Sequence, residues 1–467
     1  MVLNSLRFAL FFLIFGAVLL LLPGKLRKYW LLLGNAVFYL SWGGSGAILL
    51  LFSILVVWAC GLGIERRGKK RLLLVLPVLW NAALLLFFKY SGLFGKVLTR
   101  AGAAFLPNVT DIIVPLGISF YTLRCISFVT AVYRGTLPAK RSLADTALYV
   151  SFFPQMISGP IEKPEPFFRE LEAFETKALW DPRRIRRGGL LFVWGLFKKL
   201  VLAERLVIIT TGVFSNFQSF GFREILLASI AYTLQIYCDF SAYSDMSRAV
   251  SAMISFSTMR NFRQPYLAAG IRDFWRRWHI SFSAWLTDHV YIPLGGSRRG
   301  VLRRYFNILV TFFVSGMWHG DTLNFIFWGL LHGCFQITED LRIRAGIRFP
   351  KWLSHIILLA EVNFAWIFFN AGGLNRGFRI IRQMFTRWSA PMEPLMVPGN
   401  WVVLGVGLLI LAAVDILQEK HIAIFDRAEA MPLPLRWLLY LGLIWSVIML
   451  GIYGVGYDTS GFIYAQF

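Results

Sequence analysis

The residues best suited to chemistry in this 467-residue chain are two histidines in apolar sequence. The tripeptide Trp-His-Gly at 318–320 lies in an apolar run, 308–331, and a second His-Gly pair begins at His332. Burying an imidazole at membrane depth costs free energy unless a partner or a reaction uses its nitrogens. Because a general base must be neutral, a buried imidazole is suited to that role. His319 is therefore a candidate catalytic residue, with a structural core histidine as the alternative.

The residues around His319 fit acyl transfer better than metal chemistry. Attack of a hydroxyl group on an acyl thioester needs one base, together with positioning and oxyanion donors. Gly316 and Gly320 flank His319 and would permit close approach of a substrate. On one continuous helix His319 and His332 would point about 140° apart, so they do not form a metal pair. No HExxH, GxSxG, GxGxxG or CxxC motif supports a metalloprotease, serine hydrolase, dinucleotide or zinc site.

Other polar residues interrupt the apolar runs and are either structural or support His319. These residues include Arg124, Asp239, Asp245, Arg248 and Glu361. The candidate supporting residues for His319 are His332, Asn324 and Asn363. Their spacing in the sequence does not say which of them orients the base.

The composition is that of a membrane protein. Hydrophobic residues make up 57% of the chain, charged residues 16%, and the mean hydropathy is +0.61. A helix needs about 20 mostly apolar residues to cross the bilayer. Candidate spans are 8–22 (a retained first helix), 30–42, 47–64, 72–88, 147–157, 190–209, 225–240, 305–318, 323–335, 352–369, 401–417 and 437–453. We predict an all-α polytopic protein, one domain over 1–467, with roughly ten to twelve transmembrane and re-entrant helices.

The net charge of +23 does not indicate nucleic-acid binding. The basic residues fall in short clusters between apolar spans, at 25–28, 66–71, 183–187, 272–277 and 298–304. This pattern is typical of cytoplasmic loops under the positive-inside rule. Contact with membrane lipids explains most of these clusters.

The stretch 273–285 differs from a lipid-facing helix. Its aromatic residues recur every three or four positions and would form one face, with arginines, a histidine and serines between them. One interpretation is a helix at the membrane surface. The other is a cytoplasmic entrance where arginines meet a ligand's phosphates.

Ordered motifs cover about residues 112–335. They are PLGISFY at 115–121, YRG at 133–135, SFFPQ at 151–155, SGPI at 158–161, DFSAYSDM at 239–246, NFRQPYL at 261–267, DFWRRWHIS at 273–281, YIPLGG at 291–296, WHG at 318–320 and FWGLLHG at 327–333. In these motifs the chain resembles the membrane-bound O-acyltransferases, and within them the bacterial alginate O-acetylation (AlgI-type) branch. Outside that range the likeness is limited to hydropathy and WIFF at 366–369.

The resemblance implies a ring of helices around a central pore that holds the histidine of the Trp-His-Gly motif, here His319. It implies transfer of a small acyl group from a cytoplasmic donor to an extracytoplasmic acceptor. The expected donor is acetyl-CoA, with no resident cofactor, and the acceptor a secreted polysaccharide such as alginate or cellulose. Donor-binding candidates, placed by the cytoplasmic entrance, are Trp275, Arg276, Trp278, His279 and Ser281.

Some positions depart from the family pattern. Ala242 stands where the branch commonly has Gly, and His289 where Tyr is usual. The branch that transfers D-alanine to teichoic acid has a second histidine in a later helix, where this chain offers Asn363, with His355 at the polar edge. This difference favours acetyl transfer.

We therefore expect a bacterial inner-membrane O-acetyltransferase. It would work with an esterase-like extracytoplasmic partner and polysaccharide synthesis machinery. The alternatives are D-alanyl transfer from a carrier protein and a non-catalytic polysaccharide or lipid transporter.

Overall fold

The structure is a computed structural model that describes residues 1–44, 46–68, 70–100, 114–388 and 394–453. Helices dominate these residues, and they contain no β-strand. Within the described ranges, six helices are long and apolar enough to cross a membrane: Ala47–Arg67, Arg71–Leu93, Phe222–Met253, Lys351–Asn370, Pro398–Glu419 and Leu433–Leu450. The prediction of an all-α, multi-pass membrane protein is confirmed.

The chain separates into two compact units. The described part of the first comprises Met1–Phe192 and Met246–Met259. Its helices are α1 (Leu6–Leu21), α2 (Gly24–Leu40), α3 (Ala47–Arg67), α4 (Arg71–Arg100), α5 (Ile118–Arg134), α6 (Leu143–Ser151), α7 (Pro164–Phe174) and the start of α8 (Pro182–Leu196). The predicted short span 147–157 is instead the end of α6 and a 3₁₀ turn, Phe153–Gln155.

Helix α5 is absent from the predicted spans because serines, threonines and arginines interrupt its apolar sequence. It is nonetheless buried from Ile118 to Val132. The fully buried Arg124 donates hydrogen bonds to the carbonyl oxygens of Tyr149 (3.0 Å) and Pro160 (3.3 Å), and to the side chain of Gln155. Arg124 therefore fixes the irregular segment that contains the SFFPQ and SGPI motifs.

The described part of the second unit comprises Val193–Asp245 and residues 260–453. Its helices are the end of α8, α9 (Glu204–Ser215), α10 (Phe222–Met253, to Asp245), α11 (Ile271–Arg277), α12 (Ile280–Leu286), α13 (Val301–His319), α14 (Leu323–Arg344), α15 (Lys351–Asn370), α16 (Leu374–Thr386), α17 (Pro398–Glu419), α18 (Ile424–Ala430) and α19 (Leu433–Leu450). This division into two units does not test the prediction of one domain over residues 1–467.

A π-helix, Phe197–Ala203, joins α8 to α9 and directs two consecutive lysines toward α10. The wider turn of a π-helix changes where neighbouring side chains point. Lys199 Nζ lies 2.7 Å from Asp239 Oδ1, and Lys198 Nζ lies 2.9 Å from Asp245 Oδ2. The two intramembrane aspartates of the sequence are therefore held in ion pairs.

The stretch 273–285 is not one helix at the membrane surface, so that interpretation is wrong. It breaks into α11 and α12 at His279, whose φ is 43°. The break is held from outside the stretch, because Asn261 Oδ1 accepts hydrogen bonds from both the amide and the hydroxyl of Ser281 (3.1 and 2.9 Å). The rings of Phe274 and Trp278 are at most 1% exposed, inside the protein.

One carboxylate gathers the basic clusters of the second unit at one end. Asp340, near the end of α14, accepts hydrogen bonds from Arg272 (2.9 Å), Arg344 (2.7 Å) and Tyr305 (2.7 Å), and it pairs with Arg304. Burial opposes ionisation, but these hydrogen bonds and the charge of Arg304 outweigh it and hold the pKa of Asp340 well below its usual range. We call this end of the unit, which includes 272–277 and 298–304, the basic end.

Candidate active site

The candidate base lies at the end of a helical hairpin that glycines allow to pack closely. A Cβ added to Gly316 of α13 would lie 2.4 Å from the carbonyl oxygen of Phe325, and one on Gly329 of α14 would lie 2.2 Å from that of Phe312. No side chain larger than hydrogen fits at either position without moving a backbone. The two glycines therefore set the separation of α13 and α14.

His319 is the last residue of α13 and is 2% exposed. Aromatic rings surround its imidazole, with centroids 4.9 Å away for Trp318, 4.9 Å for Trp328, 5.3 Å for Phe369 and 5.7 Å for Phe282. Apart from Trp318, these rings come from α12, α14 and α15. This aromatic box was not predicted from the sequence, although the WIFF and FWGLLHG motifs contain two of its members.

The second histidine stands on the other side of one indole. His332 is fully buried in α14, and Trp328 lies 5.0 Å from its ring while also contacting His319. The indole nitrogen of Trp275 donates to His332 Nδ1 at 3.4 Å. Trp275, His332, Trp328 and His319 therefore form a continuous series of contacts from α11 to the end of α13.

The two candidate asparagines have different surroundings. Asn324 is fully buried at the start of α14, and its Nδ2 donates to the carbonyl oxygen of Phe368 at 3.1 Å. It therefore ties the turn that follows His319 to α15. Asn363 instead bonds to Ser229 (3.1 Å) and Thr233 (2.8 Å) of α10. These contacts connect α15 to α10 and do not reach His319.

Three of the donor-binding candidates are interior residues. Trp278, His279 and Ser281 are 1 to 2% exposed. Burial lowers the pKa of His279 to about 3, so its ring is neutral at physiological pH. His279 Nδ1 lies 3.2 Å from Asn261 Oδ1, which is consistent with a hydrogen bond. Trp278 packs on Phe262, with centroids 5.0 Å apart.

The other two donor-binding candidates line a cavity of about 600 Å³ at the basic end. Trp275 and Arg276 contribute to its wall together with Arg272 and Arg304. Its further polar lining consists of Ser283, Thr287, Tyr291, Ser297, Thr311 and Gln336. Arg272 and Arg304 were not predicted to lie here, although both belong to the basic clusters at 272–277 and 298–304. Guanidinium groups in a cavity suit a ligand that carries phosphates.

These observations define what the arrangement can do. A buried imidazole in an aromatic box can hold or accept a proton away from water. The arginines of the cavity lie on one side of Trp275 and His332, and the imidazole of His319 lies on the other. Among the described residues, no group of three or more His, Cys, Asp or Glu side chains is placed to hold a metal ion.

Comparison with known proteins identifies relatives over most of the chain. The family model of MBOAT, the membrane-bound O-acyltransferase family, matches residues 136–380. The probable alginate O-acetylase AlgI of Pseudomonas aeruginosa is 34% identical over 401 residues, which cover 83% of this chain and 75% of that protein. The peptidoglycan O-acetyltransferase of Helicobacter pylori is 34% identical over 390 residues, 76% of this chain and 73% of that protein.

A more distant relative is the teichoic acid D-alanyltransferase of Bacillus subtilis. It is 25% identical over 247 residues, which cover 51% of this chain and 60% of that protein. All three relatives are named as acyl-transferring enzymes, and the family model spans both the Trp-His-Gly motif and the hairpin that carries it. The chain thus belongs to the membrane-bound O-acyltransferase family and is a membrane acyltransferase.

Proposed function

We propose that this protein is an inner-membrane O-acetyltransferase that takes an acetyl group from cytoplasmic acetyl-CoA for the O-acetylation of a secreted polysaccharide. The placement of His319 carries the proposal, since a 2% exposed imidazole ends a helix inside an aromatic box. Relatives named as O-acetylating enzymes, at 34% identity, support acetyl as the acyl group and an alginate-like or peptidoglycan-like polymer as the acceptor.

In the proposed mechanism His319 acts as a general base. Its imidazole takes the proton of the acceptor hydroxyl as that oxygen attacks the thioester carbonyl carbon. A tetrahedral intermediate forms, the C–S bond breaks, and the leaving thiolate takes the proton from the imidazolium. The products are the O-acetyl ester and the free thiol, with His319 restored to its neutral state.

The aromatic box supports this step by excluding water. Water that reached His319 could take the place of the acceptor hydroxyl and hydrolyse the thioester, so a dry site protects the acyl group. Asn324 supports the geometry, because its bond to the Phe368 carbonyl oxygen holds the turn beside His319. The rings of Trp328 and Phe369 restrict the orientation of the imidazole.

The cavity at the basic end suits the phosphates of the donor. The positive-inside rule assigns this end to the cytoplasm, where acetyl-CoA is available. Arg276 and Arg272 offer guanidinium groups in the cavity, and Trp275 forms part of its wall and contacts His332. In this arrangement the thioester reaches toward His319 from the Trp275 side.

We propose that an esterase-like extracytoplasmic partner, working with the polysaccharide synthesis machinery, carries the acetyl group onward. D-alanyl transfer has weaker support, because the D-alanyltransferase likeness covers only 60% of that relative at 25% identity. A non-catalytic transporter would leave the base without a role.

The test uses purified protein in nanodiscs with radiolabelled acetyl-CoA, an acceptor oligosaccharide and the extracytoplasmic partner. We expect His319→Ala to lose nearly all thioester consumption and acetyl transfer. His421→Asn, a change at an exposed histidine with a φ of 56° that asparagine tolerates, is the matched control and keeps wild-type turnover.

Two outcomes would contradict the proposal. Equal turnover by His319→Ala and wild type would remove His319 from the mechanism. Wild-type turnover with a D-alanyl carrier protein, and none with acetyl-CoA, would replace the donor.

A further inference from the structure

Helix α16, Leu374–Thr386, carries arginines that none of the roles above uses. The sequence 362–392 contains four arginines and no acidic residue. Two of them anchor the helix: Arg376 donates to the carbonyl oxygen of Phe214 at 2.6 Å and Arg387 to that of Gln218 at 2.7 Å. The other two, Arg379 and Arg382, are exposed, and neither forms a hydrogen bond or ion pair with any described residue.

The position of α16 is fixed by its neighbours. A Cβ on Gly377 would lie 2.7 Å from the ring of Phe368, so α16 packs closely on the end of α15. Phe327, in the first turns of α14, lies 5.5 Å from Phe378 of α16. Because the first turns of α14 follow directly on the His319 turn, α16 lies at the His319 end of the unit.

This end is opposite the basic end. Helix α15 begins at Lys351, seven residues after the Arg344 that binds Asp340, and it crosses the unit to Asn370. If the basic end faces the cytoplasm, α16 faces the extracytoplasmic side. The positive-inside rule disfavours arginines there unless something requires them.

The circumference of α16 divides into three sectors at about 100° per residue. One sector is buried in the protein: Gly377, Ile380 and Met384. The next is apolar and partly or fully exposed: Leu374, Ile381, Phe378 and Phe385. The third is polar and exposed: Asn375, Arg379, Arg382 and Thr386. We call this third sector the arginine face. If the apolar sector faces lipid, the arginine face points to water.

We propose that the arginine face binds a polyanionic saccharide chain, through its carboxylates, on the extracytoplasmic side. This inference rests on the proposed function, in which such a chain is the final acceptor of the acetyl group. Guanidinium groups bind carboxylates through paired, charge-assisted hydrogen bonds. Arg379 and Arg382, three residues apart on one helix, are neighbours on its surface and can contact successive charged groups of a polymer. Asn375 and Thr386 add hydrogen-bonding groups for hydroxyls.

The face suits a hydrated polymer better than lipid or protein. Arg382 lies about 40° from the exposed Phe378 around the helix, next to the apolar sector, but Arg379 lies about 100° away, remote from that sector. Phospholipid headgroups would therefore satisfy one arginine and leave the other unpaired. A protein partner needs an apolar centre in its interface, and the arginine face has none.

The experiment measures equilibrium binding without any acetyl donor. Full-length protein in phosphatidylcholine nanodiscs is titrated with a fluorescent oligomannuronate, and in parallel with a neutral cello-oligosaccharide of the same length. We expect wild type to bind only the oligomannuronate, with an affinity that falls as salt rises. The double variant Arg379→Gln/Arg382→Gln should bind about tenfold to a hundredfold more weakly, since it loses two charge-assisted contacts.

The matched control is Arg66→Gln/Arg67→Gln, which changes two exposed arginines at the end of α3. It should bind as wild type does, and thermal unfolding checks that both double variants are folded. Equal binding of the neutral oligosaccharide, or undiminished binding by Arg379→Gln/Arg382→Gln, would overturn the proposal. A parallel experiment measures association with phosphatidylglycerol vesicles. A double variant whose only loss is that association would also overturn the proposal, because lipid would then be the ligand.

Binding and turnover separate the two proposals. Oligomannuronate binding that depends on Arg379 and Arg382, without acetyl transfer by the wild type, would contradict the proposed function and keep the binding face. Acetyl transfer that depends on His319, without any effect of the two arginines on oligomannuronate affinity, would support the proposed function and contradict the binding role of the arginine face.

Discussion

Replacing Gly316 with alanine tests whether close packing of α13 and α14 positions the base. The added Cβ would lie 2.4 Å from the carbonyl oxygen of Phe325 and 2.9 Å from the Cα of Ile326. Both are backbone atoms of α14, so no side-chain rotation relieves the contact. An ordinary contact begins at 3.4 Å, and the helices must therefore separate by about 1 Å at this level.

The expected cost has two parts. Overpacking of a close helix contact destabilises a protein by about 1–3 kcal/mol. A shift of about 1 Å also moves His319, at the end of α13, away from the Trp328 ring on α14, and such a misplacement costs about a hundredfold in rate. We expect Gly316→Ala to lower both the unfolding temperature and kcat, while KM for the donor changes little, since the cavity lies at the basic end.

The assay combines thermal unfolding in nanodiscs with the rate of acetyl transfer per folded molecule. Gly405→Ala is the control, because Gly405 lies inside α17 and a Cβ there would have no atom within 4 Å. It should keep full turnover and gain up to about 1 kcal/mol in helix propensity. If Gly316→Ala unfolds and turns over like Gly405→Ala, the hairpin does not position the base.

Three further changes test other parts of the site. Asp340→Asn should lower the free energy of unfolding by about 2 kcal/mol near neutral pH. Because the pKa of Asp340 is depressed in the folded protein, a pH series of unfolding should show this difference between variant and wild type above about pH 4 and lose it as the pH falls further. Trp275→Phe removes the donor to His332 Nδ1 and should cost about 1 kcal/mol in denaturant unfolding; an unchanged midpoint would show that the 3.4 Å contact contributes nothing. Asn363→Ala should lower the free energy of unfolding by about 1–3 kcal/mol, since Ser229 and Thr233 lose their partner. It should leave kcat per folded molecule unchanged. A large fall in kcat at unchanged stability would place Asn363 beside the base instead.

Much of the architecture could be predicted from hydropathy, because lipid-facing helices must be apolar along their length. The long helices α3, α15, α17 and α19 were predicted within a few residues of their bounds. Helix α5 was not, because it is buried in the protein from Ile118 to Val132, where Arg124 and Thr122 bond to carbonyl oxygens. Hydropathy identifies contact with lipid, and a helix without that contact has no such signal.

The candidate site shows a second limit. The period of the aromatic residues predicted one helix over 273–285, and the structure breaks it at His279 because Asn261, twenty residues before Ser281, bonds that residue's amide and hydroxyl. Local periodicity contains no information on a partner so far along the chain. For the same reason sequence reasoning could propose Asn363 and Asn324 equally, although the structure ties only Asn324 to the turn that follows His319.

The arginines around Asp340 also constrain how the protein is made. Arg272 and Arg304 precede Asp340 by 68 and 36 residues. At a synthesis rate of about 5–20 residues per second, Arg272 leaves the ribosome roughly 3–14 s before its carboxylate exists. During that interval Arg272 cannot form its ion pair with Asp340, so the contact of α11 with the end of α14 is not yet made. Docking of α11 is therefore a late event, completed only when α14 has inserted and brought Asp340 to the basic end.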